Sequence, residues 1–166
     1  MDRTTAQRSF LILVVLVAYV CFSSCQAKGL YVVDGDSFEM GQERVRLYGI
    51  DAPEFVQNCY DVQGNKYRCG LKAKDFLETI IAQGKISCKR FGKDRYGRSL
   101  KECFSSDGKS LNAEIVKNGW AVDYGKVYLQ EEKEARRAKR GVWQGKFMRP
   151  ELFRALQRKQ EKNEKR

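Results

Sequence analysis

Apolar and polar residues alternate over Glu43–Ile50, which predicts a strand, and Gly41-Gln42 ahead of it reads as the turn of a hairpin. Asp34-Gly35 marks a kink or bulge in the strand before that turn. The period then changes. Over Cys69–Ala82, Ala73, Phe76, Leu77, Ile80 and Ile81 fall on one helical face, and Gly84 supplies the stop. Lys85–Phe91 and Arg98–Phe104 read as two further strands around the turn Asp94-Arg95-Tyr96-Gly97. Ser110–Asn118 predicts a short helix with Ser110 as its N-cap, Leu111, Ile115 and Val116 inward and Gly119 at its end. Trp120 reads as a core residue. Tyr128–Arg140 predicts a highly charged helix whose narrow apolar side carries Leu129, Ala135, Ala138 and then Val142. The segment from Trp143 to Arg154 is expected to pack back on the domain, and Leu156–Arg166 to form a frayed basic helix or a disordered tail.

No internal repeat or low-complexity linker interrupts the chain after its first 27 residues. Strands precede and alternate with short helices, so the expected class is α+β. Five short strands with a bulge at Asp34-Gly35 are compatible with a small closed barrel. The expected division is a leader over residues 1–27, one domain over 28–154 and a basic tail over 155–166.

The leader has a positive start, Arg3 and Arg8, followed by the unbroken apolar run Phe10–Val20. Cys25-Gln26-Ala27 places small residues where a signal peptidase would cut before Lys28. An uncleaved membrane anchor through residues 9–27 and a lipid-modified Cys25 are the competing readings, and all three export the domain. Four cysteines remain, Cys59, Cys69, Cys88 and Cys103, and an even count in an exported chain points to disulfides. In a hairpin folded about Asp94–Gly97, Cys88 and Cys103 lie opposite each other at a bridgeable separation. Cys59–Cys69 is then the remaining pair, with free thiols or a soft-metal site as the alternatives.

Composition narrows the chemistry. The chain has 166 residues, 32% of them charged, and a formal net charge of +11, which fits a polyanionic partner as well as a merely soluble basic protein. It contains no histidine. That excludes histidine general bases, Ser-His-Asp and Cys-His catalysis, and histidine-ligated zinc. Hydrolysis in such a chain falls to carboxylates, arginines and a metal.

The stretch Asp34–Glu54, DGDSFEMGQERVRLYGIDAPE, carries that set. A hairpin here brings Asp36 and Asp51 together, and Ala52-Pro53 turns the chain so that Glu54 stands apart from the pair. Two adjacent carboxylates repel unless a cation lies between them. Hard oxygen ligands favour calcium or magnesium, and an arginine of the intervening strand then faces the anion that the metal binds.

Asp34–Ser37, Arg46–Glu54, Asp94–Arg98 and Leu111–Ala121 stand in the order of the motifs D-G-D-[ST], R-L-x-x-[IV]-D-x-P-E, D-[KR]-Y-G-R and L-N…G-W-A. In this joint pattern, over residues 29–145, the chain resembles the staphylococcal-type thermonuclease family. The resemblance implies an OB-type five-stranded barrel with about three helices, acting as a monomeric, calcium-dependent nuclease on DNA and/or RNA. It implies Asp36 and Asp51 as calcium carboxylates, with the backbone carbonyl of Ala52 as a further ligand. Alanine stands there where the family often has threonine, so a hydroxyl is lost. Glu54 corresponds to the carboxylate that activates water, and Arg46 and Arg98 to the arginines that clamp the scissile phosphate. Arg95 and Tyr96 resemble residues that grip a terminal phosphate, and Tyr124 and Tyr128 the substrate-stacking tyrosines. Asp34 reads either as a turn carboxylate bonding the Gly35-Asp36 amides or as a contact behind the metal ligands. Two other functions compete: a non-catalytic nucleic-acid-binding barrel and a secreted basic domain stapled by disulfides.

Overall fold

The computed structural model describes residues 29–165. The expected leader and its membrane association lie outside these residues. Among the described residues, no helix is long and apolar enough to cross a membrane.

Five strands form the main sheet: β1 (Leu30–Asp34), β2 (Ser37–Met40), β3 (Glu43–Leu47), β7 (Ser87–Lys93) and β8 (Ser99–Phe104). Their order is β1-β2-β3-β8-β7, antiparallel except for the parallel β3–β8 pair. The two-residue strands β4 (Ile50–Asp51) and β9 (Val122–Asp123) pair with each other, as do β5 (Cys59–Tyr60) and β6 (Lys66–Tyr67). Among the described residues four α-helices accompany them: α1 (Cys69–Ile81), α2 (Leu111–Lys117), α3 (Leu129–Arg137) and α4 (Pro150–Glu164). The class is α+β, as expected, and the architecture is consistent with an OB-type fold. Closure differs: among the described residues β1 and β7 are not paired to each other, and α1 packs against β1 instead. A helix laid on an edge strand shields it without a hydrogen-bonded seam.

Local chemistry accounts for most boundaries. A bulge is present in β1 but falls at Val33, between Val32 and Asp34, one residue before the expected Asp34-Gly35, which leads into the hairpin turn instead. The strand expected over Glu43–Ile50 breaks after Leu47, because Gly49 turns the chain at φ +77°. Any side chain there would be strained and would press on Tyr128 and Val127. Ser110 caps α2, its hydroxyl accepting from the Ala113 amide at 3.3 Å. Helix α3 ends at Arg137, three residues short of the expected Arg140, and the chain passes through Lys139 at φ +52°. Its inner face is more polar than expected. Leu129 is exposed, and Glu132 is buried to accept the Asp123 amide. The segment expected as helix or tail from Leu156 is helical to Glu164, as the outer part of α4.

The main core gathers Val32, Phe38, Val45 and Leu47 from the sheet with Leu77 of α1 and Ile115 of α2. Asn112 is a buried polar bracket within it. Its amide nitrogen donates to the carbonyls of Tyr48 (2.8 Å) and Lys101 (3.2 Å), and its oxygen accepts from the Cys103 amide (3.1 Å). A second cluster forms around the Cys59–Cys69 disulfide and Val142. Cys88 and Cys103 pair directly across β7–β8 and are joined, at a Cα separation of 4.1 Å. The hairpin is not symmetric, however. Gly97 at φ +80° adds a residue to the loop, and a bulge at Phe91 restores the register before Cys88 is reached.

Helix α1 presses directly on the loop after β4. A Cβ on Gly70 would collide with the Glu54 carbonyl, and one on Gly35 would lie 2.6 Å from Ala73 and 2.8 Å from Ala52. Gly70→Ala is therefore expected to cost about 1–3 kcal/mol, the usual range for overpacking. Gly29→Ala, whose Cβ meets nothing within 4 Å, is expected to leave stability unchanged. Paired urea unfolding curves check both. The disulfide between Cys88 and Cys103 closes a separation of 15 residues, so replacing both with serine is expected to remove about 3 kcal/mol in the chain-entropy model. Thermal melts without reductant measure that loss.

Candidate active site

The bulged β1–β2 hairpin, β3, and the loop after β4 meet at one cleft of about 740 Å³, whose far wall is the β7–β8 turn and α4. Asp36, Arg46, Asp51, Ala52, Glu54 and Arg98 all line it, and so do Arg95, Tyr96 and Tyr124. Residues separated by more than sixty positions thus share one opening.

Asp34 does the work of a turn. Its Oδ1 accepts from the Asp36 amide at 3.0 Å and the Ser37 hydroxyl at 2.7 Å, which fixes the bend that aims Asp36 inward. Asp36 and Asp51 are 3% and 2% exposed, too buried to stand as unpaired charges. Arg46 spans them, Nη1 donating to Asp36 Oδ1 (2.7 Å) and Nη2 to Asp51 Oδ1 (2.9 Å). The other Asp36 oxygen accepts the Ala52 amide at 2.9 Å. Burial still dominates at Asp36 and pushes its carboxyl up to about 8, against the pull of Arg46 and the Ala52 amide. Burial alone would lower the Arg46 guanidinium, but the two aspartates hold it above its ordinary value.

Glu54 sits on a braced loop. Its amide donates to Gln57 Oε1 (3.3 Å), the Gln57 amide donates to the Glu54 carbonyl (2.7 Å), and Gln57 Nε2 donates to the Met148 carbonyl (2.7 Å). Gln57 is fully buried, so each of these bonds replaces one that water would make. It was not foreseen from the sequence, where a lone glutamine gives no sign of burial.

Arg98 donates from Nε to Asp94 Oδ2 at 2.7 Å, and Asp94 also accepts the Tyr96 and Arg98 amides. Desolvation would raise the Asp94 carboxyl, but the bonds from Arg98 outweigh it and hold it low. The Tyr96 ring, 67% exposed, lies under the guanidiniums of Arg95 (4.9 Å) and Arg98 (5.7 Å). Tyr124 is 60% exposed at the rim. Tyr128 departs from its expected place. It is 6% exposed, outside the cleft lining, with its hydroxyl donating to Glu102 at 3.0 Å. Burial and the Glu102 carboxylate raise that hydroxyl's pKa. A ring packed into the core cannot stack on a substrate.

The structure adds Arg154, from α4. Nη1 donates to Asp51 Oδ1 (2.9 Å) and Glu54 Oε1 (2.8 Å), and Nη2 to Asp51 Oδ2 (2.9 Å). Burial would lower this guanidinium, but the bonds to Asp51 and Glu54 hold it above the usual arginine range. Nothing in the sequence marked Arg154 among 32 lysines and arginines.

The donor type is one that a divalent cation takes, although each oxygen here already accepts from Arg46, Arg154 or the Ala52 amide. Asp36 and Asp51 offer hard oxygens around one point, already serving cationic partners. Among the described residues no cluster of three acidic, histidine or cysteine side chains could hold a metal, so a cation here would draw on two carboxylates, a backbone carbonyl such as that of Ala52, and oxygens from water or substrate.

A family model described as staphylococcal nuclease homologue matches residues 44–145. The succinoglycan biosynthesis protein ExoI of Rhizobium meliloti is 37% identical over 117 residues, 68% of this chain and 61% of that protein. Endonuclease YhcR of Bacillus subtilis is 35% identical over 131 residues, 68% of this chain but 11% of that protein. The chain therefore spans less than two thirds of either relative. A thermonuclease of Staphylococcus intermedius is 31% identical over 127 residues, 68% of this chain and 73% of the relative. The matched region carries Arg46, Asp51, Glu54 and Arg98 into one cleft on an OB-consistent sheet, and the chain belongs to the staphylococcal nuclease homologue family.

Proposed function

We propose that this protein is an exported, calcium-dependent nuclease that hydrolyses phosphodiester bonds of DNA and/or RNA. The observation that carries this is the convergence of Asp36, Asp51, Glu54, Arg46 and Arg98 on one cleft of a chain without histidine. The endonuclease and thermonuclease names of its relatives support the same class. The two disulfides fit an oxidising compartment, and the basic surface fits a polyanion.

Asp36, Asp51 and the Ala52 carbonyl would hold calcium, which supplies Lewis-acid polarisation of a phosphoryl oxygen. The remaining roles belong to the chain. Arg46 and Arg98 offer their planar donor faces to the non-bridging oxygens, where charge accumulates as the bond breaks. Glu54 takes the proton of the attacking water. The Gln57 brace keeps the Glu54 backbone fixed while its side chain does so. Tyr96 and Arg95 line the approach of the neighbouring nucleotide, and exposed Tyr124 is free to stack at the rim.

Glu54→Gln is expected to keep the melting temperature and lower turnover on single-stranded DNA by about 100- to 10,000-fold, the usual effect of losing a general base. Substrate binding with near-normal turnover in that variant would remove Glu54 from the chemistry. Metal choice gives a second test. Two carboxylates and few other protein donors suit calcium, which accepts six to eight ligands in irregular geometry, better than magnesium, which demands a tight octahedron. Activity is expected with calcium and little with magnesium at equal concentration. Comparable rates with both ions would contradict the assignment of Asp36 and Asp51 as the ligands.

A further inference from the structure

Helix α4 is fastened to the protein mainly by charge. Its one buried residue is Pro150, at its first turn. Leu152 and Leu156 are 54% and 41% exposed and Phe153 is half-buried, so apolar packing is confined to the helix's first turn. Glu151, Arg154 and Arg158 lie on the face that lines the cleft. Of these, Arg154 reaches through to Asp51 and Glu54 with three hydrogen bonds of 2.8–2.9 Å. Both Asp51 oxygens are taken by this one guanidinium. A carboxylate paired in this two-pronged way has its strongest acceptor directions occupied.

We propose that Arg154 is a built-in competitor of the cation, and that α4 is a latch which calcium displaces from Asp51. This rests on the reading of Asp36 and Asp51 as calcium ligands. A carboxylate has about four acceptor directions, and with Arg46 also on Oδ1 the two guanidiniums occupy most of those of Asp51, so Arg154 and a metal compete for the same oxygens. Opening releases Glu54 from the same guanidinium, and the step that completes the metal site also frees the base. Because the apolar contacts of α4 are confined to Pro150 and Phe153, undocking the rest of the helix loses little beyond these ion pairs. Lifting the latch is thus a local event, not an unfolding of the domain.

The test uses calcium alone, titrated calorimetrically into the full chain. Arg154→Ala is expected to bind calcium about tenfold more tightly than the unsubstituted chain, the scale set by losing charged hydrogen bonds that compete. Arg158→Ala removes the same charge from the same cleft and serves as the comparison. It should tighten binding much less, because only the field changes. Hydrogen exchange gives a second readout, independent of turnover. Amides of Phe153–Glu164 should exchange about tenfold faster when calcium saturates the unsubstituted chain. Equal gains in Arg154→Ala and Arg158→Ala, or unchanged exchange in α4, would overturn the latch while leaving the metal site standing. Calcium affinity unaltered in Arg154→Ala would do the same. No calcium binding by any of the three proteins would overturn the metal site and the latch together.

Discussion

Everything in this protein's cleft depends on holding two carboxyl groups side by side where water scarcely reaches. An uncompensated ion in such a place costs several kcal/mol, and a half-neutralised pair costs more than an apolar substitute. Arg46 meets the requirement only if β2 and β3 pair so that Ser37 lies opposite Arg46. The Leu47 amide then donates to the Asp36 carbonyl at 2.8 Å, and the strand ends in time for Gly49 to turn Asp51 back toward its partner. A slip of one residue would send Arg46 to the other face of the sheet. The acidic pair thus fixes the register, and the register fixes the fold near the cleft.

The scaffold holds the remaining parts by approach rather than by many bonds. Helix α1 lies so close that glycine is the only residue accommodated at Gly35 and Gly70. Gln57 links the Glu54 loop to Met148, just before α4 begins. The loop that bears Glu54 and the helix that bears Arg154 therefore share an anchor. A change at either is felt at the other through a fully buried side chain.

How much of this could be read in the sequence follows from how local each feature is. The acids and arginines of Asp34–Glu54 and Asp94–Arg98 sit on hairpins, where turn chemistry and spacing dictate neighbours. The Cys88–Cys103 pairing was legible for the same reason, although two irregularities, at Phe91 and Gly97, cancel on the way to it. Helix α4 was not. Its outer half reads as basic tail, and only its docking against residues about a hundred positions earlier shows what Arg154 does. Tyr128 failed as a substrate-facing residue because its neighbourhood is set by Glu102 and Gly49, both remote in the chain. Sheet closure was illegible too, since it turns on whether a helix or a strand covers β1.

The Cys59–Cys69 bridge has a topological effect on breakage of the chain. It encloses the β5–β6 hairpin, and two residues of that loop, Lys66 and Arg68, are exposed. A trypsin-like protease that cuts after either one opens the ring but does not divide the molecule. Glu54 on one side and α1 on the other remain covalently joined through sulfur. The nicked chain would migrate as one species until a thiol separates it into two pieces.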